Sequence, residues 1–349
     1  MVVTIRDVAA LAEVSQATAA RALGGYGYVS SAARRAVLAA AEELGYRPNN
    51  VARALVSGST RTIGLIVGDI ENPFFAAAAR GLADVVEDEG YTLLLANSDE
   101  DLERERQAVD VFRTQLVDGL VVAPVSGNAG THLRVLAGDR RPLVLMDRAI
   151  RGLQVDSVLV DNAGGARSAV RHLLACGHDR IGVVSDADEI SSTAERLRGY
   201  RRALRDAGIE PDPGLVSVGP STRAGGYAAA RALLERADRP RAIFTLNNFM
   251  TAGAVRAIRD LGLAIPGDVA LVAFDELEWT TLVDPPITVV AQPVAELGRT
   301  VGSLLLARLR GDDSAPKRTR LRTELIVRGS CGPVLDPAAA AGAGAPARA

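Results

Sequence analysis

The chain is poor in the residues that usually announce chemistry. Its 349 residues hold two cysteines, three histidines, one tryptophan and 4% aromatics. Cys176 and Cys331 lie far apart and fit neither a disulfide framework nor a metal site, so a reducing compartment is expected. The histidines, His132, His172 and His178, fall in separate segments without metal-ligand spacing. Neither the phosphate-binding pattern G-x-x-x-x-G-K-[ST] nor a G-x-S-x-G nucleophile elbow occurs. We therefore expect no catalytic constellation, no metal and no cofactor. No apolar run reaches the length of a membrane span, and MVVTIRDVAA lacks the basic-then-apolar order of a secretory signal. A cytoplasmic protein is the expectation.

What is present is an ordinary globular composition, 48% hydrophobic and 23% charged, with length for two or three domains. The net charge of −2 is unevenly spread. Residues 1–61 carry seven arginines against four carboxylates, a net +3, which leaves −5 on the other 288. A small basic head on an acidic body points to an anionic partner for the head.

The first 60 residues show no strand pattern. Thr4 can cap a helix with Asp7 as its capping-box partner, and Ile5, Val8, Ala9 and Ala12 follow at helical spacing. After a break at Glu13-Val14, Ser15 caps a second short helix to about Leu23. A third begins at Ser30 or Ser31 and stops at Gly45. Two helices joined by so short a turn outline a helix-turn-helix. On a helical wheel, VSQATAARAL (14–23) divides. Ser15, Thr18, Ala19, Ala22 and Leu23 share one half; Gln16, Ala17, Ala20 and Arg21 share the other. Gln can bond adenine, and Arg guanine, in the major groove, and alanines keep such a helix slim. A merely solvated face would look the same. In the connector RPNNVARALVSGSTR (47–61), VARALV has length for about two helical turns, marginal without a partner surface.

From Thr62 the rhythm changes. Nine apolar runs, TIGLIVGDI, YTLLLANS, DGLVVAPV, PLVLMD, SVLVDN, RIGVVSD, LVSVGP, AIFTLNN and DVALVAFD, are mostly separated by helical stretches. They read as parallel strands covered on both faces, in doubly wound α/β units forming two sheets. TVVAQP, a long helix over about 294–310 and one last strand, TRLRTELIV, follow. The Ala/Gly/Pro-rich segment 332–349 reads as a disordered tail.

Taken together, TIRDVAALAEVSQATAARALGG, YVS and RRAVLAAAEELGYRPNNVARAL resemble the DNA-binding head of the LacI/GalR family of bacterial transcription regulators. The resemblance continues in order through NPFF (72–75), DGLVVAP (118–124), GHDRIG (177–182), ERLRGYRRAL (195–204), NNFMTAGA (247–254), IPGDVALVAFDE (265–276) and DPPITVVAQP (284–293). It implies a head at 1–47, a hinge helix and linker at 48–61 and a two-lobed, periplasmic-binding-protein-like body at 62–331. The N-lobe would take about 62–160 and 291–320, and the C-lobe about 161–290 and 321–331.

By resemblance, Gln16, Ala17 and Arg21 read bases, while Thr4, Ser15, Thr18 and Ser30 contact phosphates or cap helices. Asn50, Ala52 and Arg53 meet DNA in the hinge, and Leu55 is wedged into the minor groove at the centre of a palindromic operator bound by a homodimer. The sequence departs from the family at Glu13, where a small or turn-favouring residue is usual, and at Ala20 and Gly24, where Ser and Asn are usual.

In the body, residues just beyond strand ends suit a polyol. Asp accepts from neighbouring hydroxyls, Asn both donates and accepts, and Arg donates in a fork. Asp69, Asn72, Phe74, Asp147, Arg148, Asn247 and Asp275 stand there, with Arg196 at a helix start. The resemblance singles out Arg196, Asn247 and Asp275. Ser221 stands where many relatives stack an aromatic on the ligand, and Trp279 is expected to approach in its place. Asn248 stands where relatives usually have Asp. The implied function is a ligand-responsive repressor, not an enzyme, with a sugar or sugar derivative as effector. A transport binding protein would leave the basic head unexplained, and a Rossmann enzyme would need a glycine fingerprint that is missing.

Overall fold

The computed structural model describes residues 3–24, 27–46, 59–138, 141–333 and 335. The chain divides into two compact units: Met1–Thr62 with Leu116–Asp118, and the remainder.

In the first unit, α1 (Ile5–Leu11), α2 (Gln16–Gly24) and α3 (Ser31–Glu43) surround a core dominated by alanine. Val8, Ala9, Ala12, Ala19, Ala22, Val37, Ala40 and Ala41 form it, ringed by Ile5, Val14, Leu23 and Leu44. Helices of this length are marginal alone, so packing holds them. Small side chains let the backbones approach closely. Caps fix the ends: Asp7 accepts from the N–H and hydroxyl of Thr4 at 2.8 and 2.7 Å, Thr18 N–H donates to Ser15 Oγ, and Ala33 N–H donates to Ser30 Oγ. These bonds hold the Asp7 carboxyl below the usual range. The turn between α1 and α2 places Glu13 at φ +54°, a left-handed conformation that disfavours a Cβ. That explains why a turn-favouring residue suits the position.

The second unit contains two six-stranded sheets. One comprises β1 (Thr62–Val67), β2 (Thr92–Asn97), β3 (Gly119–Val122), β4 (Leu143–Met146), β5 (Asp156–Val160) and β11 (Arg318–Leu321), in the order β11-β5-β4-β3-β1-β2. The other comprises β6 (Ile181–Ser185), β7 (Val216–Val218), β8 (Ala242–Thr245), β9 (Ala270–Phe274), β10 (Thr288–Ala291) and β12 (Glu324–Ile326), in the order β12-β10-β9-β8-β6-β7. The central strands are buried on both faces, as helix-covered parallel strands are. Against the first sheet pack α4 (Pro73–Asp88) and α12 (Val294–Leu309). They cross where Gly298 meets Ala78, and a Cβ on that glycine would stand 2.1 Å from the Ala78 carbonyl oxygen. The remaining helices are α5 (Leu102–Thr114), α6 (Thr131–Gly138), α7 (Asn162–Ala175), α8 (Ser191–Asp206), α9 (Arg223–Leu234), α10 (Asn248–Asp260) and the short α11 (Trp279–Leu282).

The segment expected to form one last strand, TRLRTELIV, is two. Its first half lies parallel to β5, and its second half antiparallel to β10. The chain leaves the first sheet at the carboxyl ends of its strands and enters the second from the same side, so its direction is reversed there. This crossing, with those after β5 and β10, brings the strand ends of both sheets to one cleft.

Asn50, Ala52, Arg53, Leu55 and the rest of 47–58 lie outside the described residues, as do 334 and 336–349. Within the segment read as a disordered tail, Leu335 N–H donates to the Ala175 carbonyl at 2.8 Å.

Candidate functional site

Side chains from both sheets meet at the strand ends. The first contributes Asp69, Asn72, Phe74, Phe75, Glu100, Asp147 and Arg148. The second contributes Asp186, Ile190, Ser192, Thr193, Arg196, Ser221, Asn247, Phe249 and Asp275, with Gln292 at the crossing after β10. Three of these residues, Glu100, Asp147 and Asp275, have φ of +56°, +64° and +79°. Left-handed non-glycine residues cost energy and cluster where a site dictates the backbone. Here each turns a carboxylate back over the end of a strand.

The lining is knitted to itself. Asp186 is a hub that accepts from Thr193 Oγ1 (2.5 Å), Asn247 Nδ2 (2.8 Å) and Ser221 Oγ (3.0 Å). Asn247 also caps α10 through Met250 N–H. Arg196 donates to Asn162 Oδ1 at 2.8 Å and to the Leu246 carbonyl at 2.5 Å, with its guanidinium 3.8 Å from the Phe274 ring centroid. Asp275 accepts from Asn248 N–H, Asn248 Nδ2 and Gln292 Nε2. Arg148 donates to both oxygens of Glu100, at 2.6 and 2.7 Å. Burial opposes the Arg148 charge, but Glu100 more than compensates and raises its pKa.

Among the described residues, contacts that tie one lobe to the other include Asn248 Nδ2 to Asn72 Oδ1 (2.7 Å), Gly127 N–H to the Glu189 carbonyl (2.8 Å), Ala149 N–H to Ser191 Oγ (2.9 Å) and the Arg320–Glu195 ion pair (2.9 Å). The space left is about 30 Å³ for the centres of water-sized spheres, room for one or two waters.

Two buried acceptors in the lining, Asp147 Oδ1 and Gln292 Oε1, have no hydrogen-bond partner among the described residues. Burial pushes the Asp147 carboxyl up to about 6, against the pull of Arg148 and Arg196. An unmet buried acceptor is expensive, and a hydroxyl donor would satisfy it.

Nine of the ten residues expected around the ligand come together here: Asp69, Asn72, Phe74, Asp147, Arg148, Arg196, Ser221, Asn247 and Asp275. Trp279 does not line the cavity. It lies on α11, half-buried against the apolar cluster beneath α10, where its large ring covers hydrocarbon. Sequence reasoning passed over Glu100, Asp186, Thr193, Phe249 and Gln292. Asp186 and Gln292 each lie just past a strand's carboxyl end, the position that flagged Asp147 and Asp275, and Glu100 lies three residues past the end of β2. Asn248, a departure from the family, donates to both Asn72 and Asp275; an Asp there could not.

In the head, Gln16 and Ala17 are exposed on α2, Ala20 and Arg21 are half-exposed, and Ala19 and Ala22 are buried. Arg21 Nε donates to the Ala17 carbonyl at 3.3 Å, which lays its side chain along the helix surface. Thr4, Ser15 and Ser30 stand at helix starts, and Thr18 Oγ1 is 2.8 Å from Ser15 Oγ.

Comparison with known proteins agrees with both halves of this picture. Residues 4–49 match the profile described as "Bacterial regulatory proteins, lacI family", and residues 170–331 match "Periplasmic binding protein-like domain". The HTH-type transcriptional regulator PtxS of Pseudomonas aeruginosa is 38% identical over 334 residues, 95% of this chain and 96% of that one. The chain belongs to the lacI family of bacterial regulatory proteins. Among solved members of this family, the lac repressor dimer bound to operator and the anti-inducer ONPF superposes with a TM-score of 0.85 at 25% identity, covering 95% and 100% of the two chains. A complex of the transcriptional regulator CelR with cellobiose superposes with a TM-score of 0.72 at 35% identity, covering 94% and 99%. This lacI-family chain has no helix among its described residues long and apolar enough to cross a membrane.

Proposed function

We propose that this lacI-family regulator acts in the cytoplasm as a homodimeric repressor of transcription. It binds palindromic operator DNA through the outer face of α2, and an uncatalysed exchange of a small polyhydroxylated ligand, a sugar or sugar derivative, controls it. The observation that carries the ligand reading is the pair of buried acceptors, Asp147 Oδ1 and Gln292 Oε1, in a cleft lined by carboxylates, amides and three phenylalanines. Hydroxyl groups supply the donors these acceptors lack, and phenyl faces suit the apolar side of a sugar ring. The DNA reading is supported by the exposure of Gln16 and Ala17 beside Arg21, and by the basic balance of the first 61 residues.

So small a cavity admits a sugar only when the lobes part and the bonds within the lining give way. A ligand that binds the parted and closed arrangements unequally must shift the balance between them. That differential affinity is the control signal. Gel shifts against palindromes upstream of the gene should show salt-sensitive binding, reduced at specific sites by Arg21→Ala. Equal affinity for scrambled DNA would refute the reading of α2. Asp275→Ala should remove the ligand response and spare operator binding; a retained response would take Asp275 out of the site.

A further inference from the structure

Five carboxylates and two guanidiniums line the cleft. Arg148 is held by a carboxylate: both Nη groups go to Glu100, Nη1 also reaches the Pro124 carbonyl at 3.3 Å, and Nε, which makes no hydrogen bond among the described residues, stands 3.5 Å from Asp147 Oδ2. Paired bonds of this fork-to-fork kind are the strongest an arginine makes with a carboxylate.

The backbone is built to deliver that carboxylate. Asp99 and Glu100 are both left-handed, at φ +51° and +56°, and Glu100 N–H donates to the Gly68 carbonyl at 3.0 Å. A Cβ at Gly68 would stand 2.2 Å from Glu100 Oε1, so the glycine leaves the place the carboxylate fills. Arg196 is already held by Asn162, the Leu246 carbonyl and the Phe274 ring.

We propose that Glu100 sets the charge selectivity of the cleft: by occupying Arg148 it closes the site to sugars bearing a carboxylate or phosphate and reserves it for uncharged, hydroxyl-rich ligands. This rests on the effector reading above. An anion entering here would meet Asp147, Asp186 and Asp275, while Arg148 is held by Glu100 and Arg196 by neutral groups and the Phe274 ring, and like charges brought together in a buried site are strongly disfavoured. Of the buried lining groups without a hydrogen-bond partner among the described residues, Arg148 Nε faces Asp147 Oδ2 at 3.5 Å, and the other two, Asp147 Oδ1 and Gln292 Oε1, are acceptors. A neutral hydroxyl can donate to them; an ionised carboxylate cannot.

The test is a matched panel on the full-length protein: pentoses, hexoses and disaccharides, each beside its aldonic acid and its phosphate ester, read by thermal shift and then by calorimetric titration. The ligands that stabilise the protein should be uncharged, with their acids and phosphates at least about tenfold weaker. In Glu100→Gln, isosteric but uncharged, that ratio should shrink to about threefold or less, because the Nη groups of Arg148 lose the carboxylate that holds them. Arg148→Met placed on Glu100→Gln should restore it, with circular dichroism showing that each variant is folded. An acid or phosphate as the tightest wild-type ligand overturns the proposal, as does a folded Glu100→Gln that discriminates like wild type. Silence across the whole panel, with operator binding intact, overturns the effector reading and this proposal together.

Discussion

Replacing Asp147 with Asn should make the ligand-free protein more stable at neutral pH and weaken its response to ligand. Burial raises this carboxyl from 3.8 to about 6, after the favourable pull of Arg148 and Arg196 and the repulsion of Asp275 and Glu100 are included. The sign follows from proton counting. Well below pH 3.8 the group is neutral whether the chain is folded or not, and nothing is lost. Between 3.8 and about 6 the folded protein keeps a proton that the unfolded chain has released, so stability falls as pH rises. Above about 6 the loss is complete, at about 3 kcal/mol, since each tenfold change in proton affinity is worth about 1.4 kcal/mol. Asn copies the shape of the neutral carboxyl, does not titrate, and tolerates the φ of +64°. Urea unfolding followed by the fluorescence of Trp279 should therefore show Asp147→Asn stabilised by about 2–3 kcal/mol at pH 7.5 and by less than about 1 kcal/mol at pH 4. Titrating groups remote from Asp147 cancel in the difference between variant and wild type. A variant no more stable than wild type at pH 7.5, or equally stabilised at both pH values, would refute the argument.

Asn248→Asp should lose the bonds to Asn72 and Asp275 and set two carboxylates face to face. We expect about 2–4 kcal/mol of destabilisation at pH 7, smaller at pH 4, and a larger radius of gyration in small-angle scattering as the lobes part. Gly68→Ala should drive Glu100 off Arg148, at a cost of about 3 kcal/mol read by urea unfolding. Glu13→Asn should relieve the left-handed turn before α2, raising the stability of the head by about 1 kcal/mol in amide hydrogen exchange and increasing operator affinity in gel shifts.

The strands were legible in the sequence because a buried parallel strand is apolar nearly throughout, and β1, β8 and β9 are such runs. TRLRTELIV was read as a single strand because its two halves are short and differ in partner, not in composition. Which sheet a residue joins is decided by distant chain, here β5 for one half and β10 for the other. Asp147 and Asp275 stood out as polar residues ending apolar runs. Glu100 did not, because it sits three residues past Asn97 in a polar stretch, and only the left-handed backbone at Asp99 and Glu100 turns it inward. Trp279 illustrates the opposite error. A lone tryptophan near the site drew a ligand role, but covering hydrocarbon under α10 is a sufficient use of so large a ring.

The same network that closes the cleft also decides what a ligand can gain there. A hydroxyl that displaces Ser221 from Asp186, or Gln292 from Asp275, trades one hydrogen bond for another, and the net return is small. A hydroxyl that reaches Asp147 Oδ1 or Gln292 Oε1 displaces no protein donor, because none is bonded to either acceptor. Affinity should therefore concentrate at those two atoms, one at the end of β4 in one lobe and the other at the crossing after β10. A ligand bridging them ties the lobes together, so the gain in affinity and the bias between parted and closed forms come from the same contacts. Sugars matching only one of the two should bind weakly and signal weakly, and a series of deoxy analogues that lost affinity evenly at every hydroxyl would contradict this.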